Sequence, residues 1–408
     1  MAEDNQTLVL HDIFSLAVQA QLAWQPFREG VEIYPIYKNK PAPLPPANVV
    51  ANQPAKIDVV FALDTTGSMG GLIKAAKEKI WSIASSMAQA KPAPEIRMGL
   101  VAYRDRGDAY VTRVVDLSTD LDSMYATLMD FRAAGGGDGP ESVNQALADA
   151  VNKMSWSADS HTYKVVFLVG DAPPHMDYQD DVKYPQTLAL AKRKGIIVNA
   201  IQCGSAGQTK HNWQQIAQLG NGDYFQVSQA GSAVAVATPY DKKLAELSRK
   251  LDETRMVYGT KQQKAAFARK QAATEKLHTS ASEESQARRA AFNASKSGKT
   301  NLLGKQDLVE DVSSGRVDLK DIDTAALPAP VAAMAPAERQ ALISAKAKQR
   351  KALQENIGKL AKERDSFIRK KLEASGGAKG SLDVRLFDAV RSQAGKKGLH
   401  YEAEAPAY

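Results

Sequence analysis

Cysteine is almost absent from this sequence, since Cys203 is the only one among its 408 residues. A lone cysteine excludes a disulfide within the chain and any metal cluster built on several thiolates. Cys203 ends a mostly apolar run that begins at Ile196, and no cation lies beside it in sequence. Such surroundings are typical of a buried structural thiol rather than a reactive one.

Long hydrophobic runs are missing as well. The best candidate, residues 8–24, is interrupted by four polar side chains, His11, Asp12, Gln19 and Gln21. A membrane-spanning helix needs about 20 mainly apolar residues, so no membrane span is predicted. The first residues, Met1–Asp4, are acidic where a signal peptide carries a basic segment. The expected location is therefore cytoplasmic, or periplasmic or secreted if a signal has been removed.

Positive charge is concentrated in the second half of the chain. Residues 1–230 hold 20 Lys and Arg against 24 Asp and Glu, giving −4, whereas residues 231–408 hold 33 against 22, giving +11. Basic residues alone bind nucleic acid without sequence preference. The basic half has no interleaved aromatic residues for base stacking, and acids such as Glu275 and Glu283 are mixed in. No specific nucleic-acid binding is therefore predicted.

The order of apolar runs and turn residues divides the chain into five regions. They are 1–40, an N-terminal helix and extended segment; 41–56, a proline-rich linker; 57–230, alternating strands and helices; 231–300, a basic helical extension; and 301–408, a helical C-terminal region. In the third region, strands are predicted at 57–64, 96–104, 110–117, 163–170, 196–203 and 223–228, and helices at 71–89, 121–132, 142–154, 184–194 and 211–219. This alternation predicts an α/β fold, a doubly wound and mainly parallel Rossmann-like sheet, followed by a mostly helical region.

The C-terminal regions carry a weaker pattern. The stretch 261–299 has few large apolar residues, which fits either a solvated helix or partial disorder. In the segment 336–374, apolar residues including Leu353, Ile357 and Leu360 form a seam typical of a helical hairpin or short coiled coil. That seam offers a surface for self-association. A glycine-rich break then precedes a last short helix.

Hard oxygen ligands follow the first strand of the alternating region. Asp64, Thr66 and Ser68 come directly after the apolar run 57–63. Ligands of α/β sheets bind at the carboxyl ends of the strands. Carboxylates and hydroxyls are the ligand types that Mg²⁺ and Ca²⁺ prefer.

Two further segments belong at the same sheet edge. Glu141 closes a glycine-rich stretch that begins at Gly135, and Asp171 ends the buried strand 163–170. Together with the first segment they supply three carboxylates and two hydroxyls. Such an all-oxygen shell suits Mg²⁺, which often keeps waters and an open position.

The alternating region resembles a von Willebrand factor A domain of the bacterial type with a complete metal-ion-dependent adhesion site (MIDAS). The family pattern Asp-x-Ser/Thr-x-Ser is met by Asp64, Thr66 and Ser68, and Asp171 matches the aspartate after the central strand. Glu141 best matches the second-loop position, as in the integrin β-subunit version. The resemblance implies that these residues bind Mg²⁺, with Mn²⁺ or Ca²⁺ as alternatives, and that an acidic side chain of a protein partner completes the shell.

The integrin-β resemblance also implies a second cation site. Its counterparts here are Asp105, Asp138, the carbonyl of Pro140 and Glu141. Gly136 replaces an asparagine ligand of that pattern. The alternative for Asp105 is a salt bridge to a neighbouring arginine, Arg104 or Arg106, or a turn cap.

The loop after Asp171 holds His175 and the acids Asp177, Asp180 and Asp181. It is either a rim that selects partners or a plain solvated loop. An all-oxygen site does not call for an imidazole ligand.

Catalytic apparatus is not recognisable in the sequence. No nucleophile elbow or phosphate-binding loop stands at a strand end. A triad of Ser68, His175 and Asp171 fails because a metal-bound hydroxyl is not readily activated by histidine. We therefore expect a protein-binding module, adhesive or scaffolding, rather than an enzyme. The alternative is a non-catalytic subunit of an AAA+ ATPase machine, as the family resemblance suggests, with the helical tail as docking element.

Overall fold

The structure, a computed structural model, describes residues 55–137, 139–228, 236–374 and 381–407. All of them belong to one compact unit, Pro54–Tyr408. The predictions for residues 1–40, for most of the linker and for Asp138 lie outside the described residues.

Six strands of the described chain form one sheet. They are β1 (Lys56–Asp64), β2 (Glu95–Tyr103), β3 (Thr112–Ser118), β4 (Tyr163–Gly170), β5 (Ile196–Cys203) and β6 (Asn221–Val227). Their order is β3-β2-β1-β4-β5-β6, with β3 antiparallel to β2 and the other neighbours parallel. The predicted doubly wound, mainly parallel sheet is confirmed. The winding reverses between β1 and β4, so the carboxyl ends of these strands form the crevice where such sheets bind ligands.

Helices cover both faces of the sheet. The first five are α1 (Gly70–Met87), α2 (Leu121–Asp130), α3 (Val143–Asn152), α4 (Tyr184–Arg193) and α5 (Gly207–Leu219). Successive strand residues point to opposite faces. In β1, Phe61 and Leu63 accordingly pack with α1 and α2, whereas Val60 and Ala62 pack with α3, α4 and α5. Cys203 is buried as predicted, and burial raises the pKa of its thiol.

The described residues after β6 are mostly helical, as predicted. The helices are α6 (Asp241–Asp252), α7 (Lys261–Ser280), α8 (Glu283–Ala294), α9 (Lys299–Leu303), α10 (Leu308–Ser313), α11 (Ala329–Ala332), α12 (Pro336–Ala374) and α13 (Leu382–Gly395). Short 3₁₀ turns occur at Gly67–Met69, Leu319–Asp321 and Thr324–Ala326. Within the described ranges, no helix has the length and apolar character needed to cross a bilayer.

The stretch 261–299 forms two helices that pack on the α/β region. The helix α7 lies against α2, and α8 lies against α1. Phe292 of α8 meets Trp81 of α1 with ring centroids 6.0 Å apart. Because Arg289 of the same helix is also completely buried, charged side chains contribute to this interface as well as apolar ones.

The apolar seam of α12 packs within the chain. Leu353, Ile357 and Leu360 join the cluster that contains Leu244 and Leu247 of α6. The helix α12 also contacts α8 and α10. The seam of α12 therefore packs against several shorter helices and does not form a coiled coil in this structure.

The helix α13 returns to the sheet. Leu386 and Val390 enter the same hydrophobic cluster as α1 and α2. The hydroxyl of Tyr163 in β4 donates to Gln393 Oε1 at 2.7 Å, and Gln393 Nε2 donates to Asn199 Oδ1 in β5 at 2.9 Å. The core of the α/β region thus includes a helix from near the end of the chain.

Candidate metal centre

The first ligand loop begins where β1 ends. Asp64, the last residue of β1, is completely buried. Its Oδ1 accepts hydrogen bonds from the backbone N–H of Thr66 at 2.8 Å and from Thr66 Oγ1 at 2.7 Å. Thr66 Oγ1 lies 3.5 Å from Ser68 Oγ, and Ser68 is exposed. The three oxygen-bearing side chains therefore run from the interior to the surface at one point.

Backbone hydrogen bonds hold this loop in place. The N–H and Oγ1 of Thr65 both donate to the carbonyl of Tyr103 at 2.9 Å, which fixes the loop to the end of β2. The Gly67 N–H donates to the Gly135 carbonyl at 3.0 Å, and the Ala134 N–H donates to the Thr65 carbonyl at 3.1 Å. The first loop and the glycine-rich loop are thus joined directly.

The second loop brings Glu141 beside Thr66. Gly136 has a φ of +81°, a left-handed conformation that favours glycine. A Cβ on Gly136 would lie 3.2 Å from both Glu141 Oε1 and Thr66 Cβ. A side chain at residue 136 would therefore crowd the carboxyl group of Glu141 against the first loop.

The third loop, after β4, is tied to the second. The Glu141 N–H donates to the Pro173 carbonyl at 2.9 Å, and the His175 N–H donates to the Glu141 carbonyl at 3.1 Å. Asp171 follows β4 and is partly buried. Burial is the main cause that raises the pKa of Asp64 and of Glu141, and the negative charge of Asp171 adds to it. The structure thus places all five predicted ligands at one edge of the sheet.

Acidic side chains are concentrated at this edge, and two of their buried oxygens lack a hydrogen-bond partner within the described ranges. Asp64 Oδ2 and Glu141 Oε2 are buried oxygens, and neither has a hydrogen-bond partner in the described part of the chain. Burial raises the pKa of Asp64 to about 7. Burial, reinforced by the charges of Asp64 and Asp105, raises the pKa of Glu141 to about 9. Two buried acids whose pKa values are raised in this way favour a bound cation.

The donor set fits a hard divalent cation because every donor is an oxygen. No group of three or more His, Cys, Asp and Glu side chains in the described ranges has the arrangement of a metal cage. The candidate set therefore depends on the hydroxyls of Thr66 and Ser68 as well as on the carboxylates.

Comparison with known proteins addresses the fold around this centre. Residues 58–239 match the family model described as the von Willebrand factor A domain. This segment is a von Willebrand factor A (vWA) domain.

Relatives of the vWA domain come from very different proteins. The chain is 35% identical over 114 residues to von Willebrand factor A domain-containing protein 7 of Rattus norvegicus. This aligned stretch covers 28% of this chain and 12% of that protein. The chain is 30% identical over 121 residues to alpha-protein kinase vwkA of Dictyostelium discoideum. This stretch covers 29% of this chain and 19% of that protein. The chain spans about a fifth or less of the length of the curated relatives it matches.

One similar solved structure is that of proximal thread matrix protein 1 (PTMP1) from the mussel byssus with a zinc-occupied MIDAS motif. The identity is 17%, the match covers 43% of this chain and 42% of that one, and the TM-score is 0.34.

Asp105, one of the residues suggested for a second cation in the vWA domain, has other contacts. Asp105 is buried, and its Oδ1 accepts from Ser142 Oγ at 2.8 Å. Its Oδ2 accepts from the hydroxyl of Tyr178 at 2.8 Å and lies 3.4 Å from His175 Nε2. Within the described part of the chain, these contacts hold the carboxylate of Asp105, and no salt bridge to Arg104 or Arg106 does. The second site stays a prediction.

The loop after Asp171 makes specific side-chain contacts. The ring of His175 stacks on Tyr178 with centroids 3.9 Å apart and planes 10° apart. The guanidinium of Arg106 lies 4.0 Å from the centre of the Tyr178 ring and forms ion pairs with Asp180 at 2.9 Å and Asp181 at 2.6 Å. These contacts fix the loop to the one that carries Asp105.

Asp108 was missed by sequence reasoning. Its carboxylate accepts from the Gly136 N–H, at 3.1 Å to Oδ2, and so positions the glycine that Glu141 needs. After burial, the charge of Asp108 is among those that raise the pKa of Glu141. An aspartate within a polar turn, as in Asp105–Asp108, is the sequence signal that was available, but it is too common to indicate this role.

Proposed function

We propose that the vWA domain is a metal-dependent protein-binding module. Asp64, Thr66, Ser68, Glu141 and Asp171 would hold the cation. The observation that carries the proposal is the pair of buried carboxylate oxygens, Asp64 Oδ2 and Glu141 Oε2, with no partner in the described residues. Buried charges of one sign are costly unless a cation neutralises them.

A bound Mg²⁺, or Mn²⁺ or Ca²⁺ in its place, would offer an open coordination position to a carboxylate of a partner protein. The chain's own contribution is to prepare the donors. Thr65 anchors the first loop on Tyr103, and Gly136 admits Glu141. Glu141 would take the second-loop position in the manner of the integrin β-subunit version. Exposed Ser68 puts the outer end of the donor set within reach of a partner.

We propose no catalytic role for this edge of the sheet. Glu141 and Asp64 are assigned as ligands, which removes them as general bases. His175 Nδ1 lies 2.8 Å from Asp177 Oδ1, and its ring is stacked on Tyr178. The imidazole is therefore held by the loop rather than aimed at a reacting group.

The loop after β4 would form the rim that selects partners. Met176 and Val182 are 45% and 53% exposed, and both are large apolar side chains. They lie on the same loop as exposed Asp177 and Asp180. We infer that a partner carries an acidic residue for the cation beside an apolar patch for these two side chains. Because the seam of α12 is packed within the chain, self-association is not part of the proposal.

The test is a binding experiment with immobilised protein. Wild type, Asp64→Ala and the control Asp388→Ala would each be exposed to host lysate with Mg²⁺ and with excess chelator. Asp388 is an exposed carboxylate of α13 that forms an ion pair with Arg391 of the same helix. We expect a partner retained by wild type and by the control in Mg²⁺, and lost with chelator or with Asp64→Ala. Full retention of the partner in chelator would contradict the proposal. Metal-independent capture of an ATPase would favour the alternative, in which the chain is a non-catalytic subunit of an AAA+ ATPase machine.

A further inference from the structure

We propose that a cavity at the opposite edge of the sheet binds the phosphoryl groups of a small soluble anion. The cavity has a volume of about 500 Å³. It lies at the amino ends of β4 and β5, where Lys164 and Gly195 line it. The predicted metal ligands follow the carboxyl ends of the parallel strands β1 and β4, so the two sites are on opposite edges.

Four cationic side chains line this cavity, and no Asp or Glu does. They are Lys164, Arg193, Lys194 and Lys397. Within the described residues, no ion pair joins any of the four to a carboxylate. A cavity lined by charge of one sign attracts a ligand of the other sign.

The hydrogen bonds of the three lysines go to neutral oxygens. Lys164 Nζ donates to the Lys194 carbonyl at 3.4 Å, and Lys194 Nζ donates to the Val151 carbonyl at 2.9 Å. Lys397 Nζ donates to the Ser160 carbonyl at 2.8 Å. These bonds position the ammonium groups and leave their charges unneutralised.

Lys164 is the innermost of the four. Its side chain belongs to a residue only 6% exposed, and burial lowers the pKa of its ammonium group. Two carboxylates act on it electrostatically, but both are engaged elsewhere. Asp58 accepts from Arg97 at 2.8 and 2.6 Å, and Asp159 accepts from Thr162. A buried ammonium without a close counterion is costly, and a bound anion would offset that cost.

The chemistry of the lining points to phosphoryl groups rather than to a single carboxylate. Arginine and lysine together are the usual recognition pair for phosphate, since arginine donates in a planar fork and lysine acts as a point charge. The volume admits more than one phosphoryl group. Trp156 adds an apolar wall, and its ring is fixed by donation from Nε1 to the Ala150 carbonyl at 2.9 Å. A polyphosphate, free or on a ring-bearing metabolite, fits this combination.

The test is calorimetric titration of inorganic tripolyphosphate into the full chain at one fixed ionic strength. EDTA is present throughout, so that the metal centre takes no part. The variants are Arg193→Gln and Lys397→Gln, which change exposed or half-exposed cations of the cavity. The matched control is Lys192→Gln, since Lys192 is the exposed neighbour of Arg193 in α4 and does not line the cavity. Each loss of a charged hydrogen bond should weaken binding by about tenfold or more, whereas the control should stay within about twofold.

Two further arms separate the sources of phosphate, an anionic lipid vesicle of phosphatidylglycerol and a single-stranded oligonucleotide. Tripolyphosphate binding to wild type that is weakened in the cavity variants alone supports the proposal. Absence of tripolyphosphate binding overturns it, and so does equal weakening by Lys192→Gln. Binding of vesicles or oligonucleotide without tripolyphosphate also overturns it. None of these outcomes depends on the metal centre.

Discussion

The guanidinium of Arg289 in α8 forms a bidentate ion pair with the carboxylate of Asp122 in α2, with Nε donating to Oδ1 at 2.7 Å and Nη2 to Oδ2 at 2.6 Å. Neither side chain is exposed. The same guanidinium donates from Nη1 to Asp252 Oδ2 in α6 at 2.7 Å. One arginine thus ties the vWA domain to two helices of the C-terminal region. Such a buried network stabilises the fold only while every member is present.

Replacing Arg289 by methionine should therefore be severely destabilising. Arg289→Met leaves the carboxylates of Asp122 and Asp252 buried with one cation fewer. We expect the free energy of unfolding to fall by about 3 to 5 kcal/mol, measured by urea denaturation. The matched control is Arg249→Met, because the ion pair of Arg249 with Glu275 is exposed and should be worth about 0.5 kcal/mol or less. Equal losses in the two variants would contradict this role.

The same network predicts how stability depends on pH. Burial alone would raise the pKa of Asp122, but the charges of Arg289 and Lys270 hold it well below its usual range. The charges of Arg289 and Arg255 likewise overcome burial and hold the pKa of Asp252 at about 2. A carboxylate with a lowered folded-state pKa stabilises the fold above its unfolded-state pKa of about 4, and that stabilisation is lost as the pH falls further.

We therefore expect the stability difference between wild type and Arg289→Met to be constant from neutral pH down to about pH 5 and to shrink below about pH 4. Urea midpoints across this range measure it. A difference that stays constant down to about pH 3 would show that the two carboxylates do not carry the effect.

Glu141→Gln should stabilise the protein when metal is absent. The substitution removes a buried carboxyl group crowded by other acids and keeps its shape. In chelator we expect a gain of about 1 to 3 kcal/mol in the free energy of unfolding. Asp105→Asn is the contrasting variant, because Asp105 already accepts hydrogen bonds from Ser142 and Tyr178. It should lose stability, and a loss in Glu141→Gln as well would mean that Glu141 is a structural residue.

Gly136→Ala and Gly137→Ala should differ sharply although they are adjacent. A Cβ at Gly136 would crowd Glu141 and Thr66, and its φ of +81° costs about 1 to 2 kcal/mol for a residue with a side chain. A Cβ at Gly137 meets nothing within 4 Å. We expect Gly136→Ala to lose the stabilisation that saturating Mg²⁺ gives in thermal unfolding, and Gly137→Ala to keep it. Identical thermal shifts in the two variants would contradict the placement of Glu141.

The sheet could be predicted from sequence because its strands are buried on both faces. Runs such as Val165–Val169 have no polar side, which distinguishes them from half-exposed strands. The positions of Asp64 and Asp171 could be predicted too, since topology alone brings strand ends to one edge. Their hydrogen bonds and the role of Asp108 could not, because these depend on loop conformation.

The packing of the helical region could not be predicted from the sequence. Arg289 and Asp122 are 167 residues apart, and a charged residue in a helix usually indicates a solvated face. The pattern of α13 shows that it buries one side, with Leu386 and Val390, but not which surface covers that side. Long-range partners of this kind leave no local signal.

The most direct test of the proposed metal centre is calorimetric titration of Mn²⁺ or Mg²⁺ into wild type, Asp64→Ala and the control Asp388→Ala. Asp64 is buried at the centre of the proposed donors, whereas Asp388 is an exposed acid of α13. We predict that wild type and the control bind a cation saturably at this centre, and that Asp64→Ala loses this binding. Unchanged cation binding by Asp64→Ala would contradict the claim that this edge of the sheet is a metal centre.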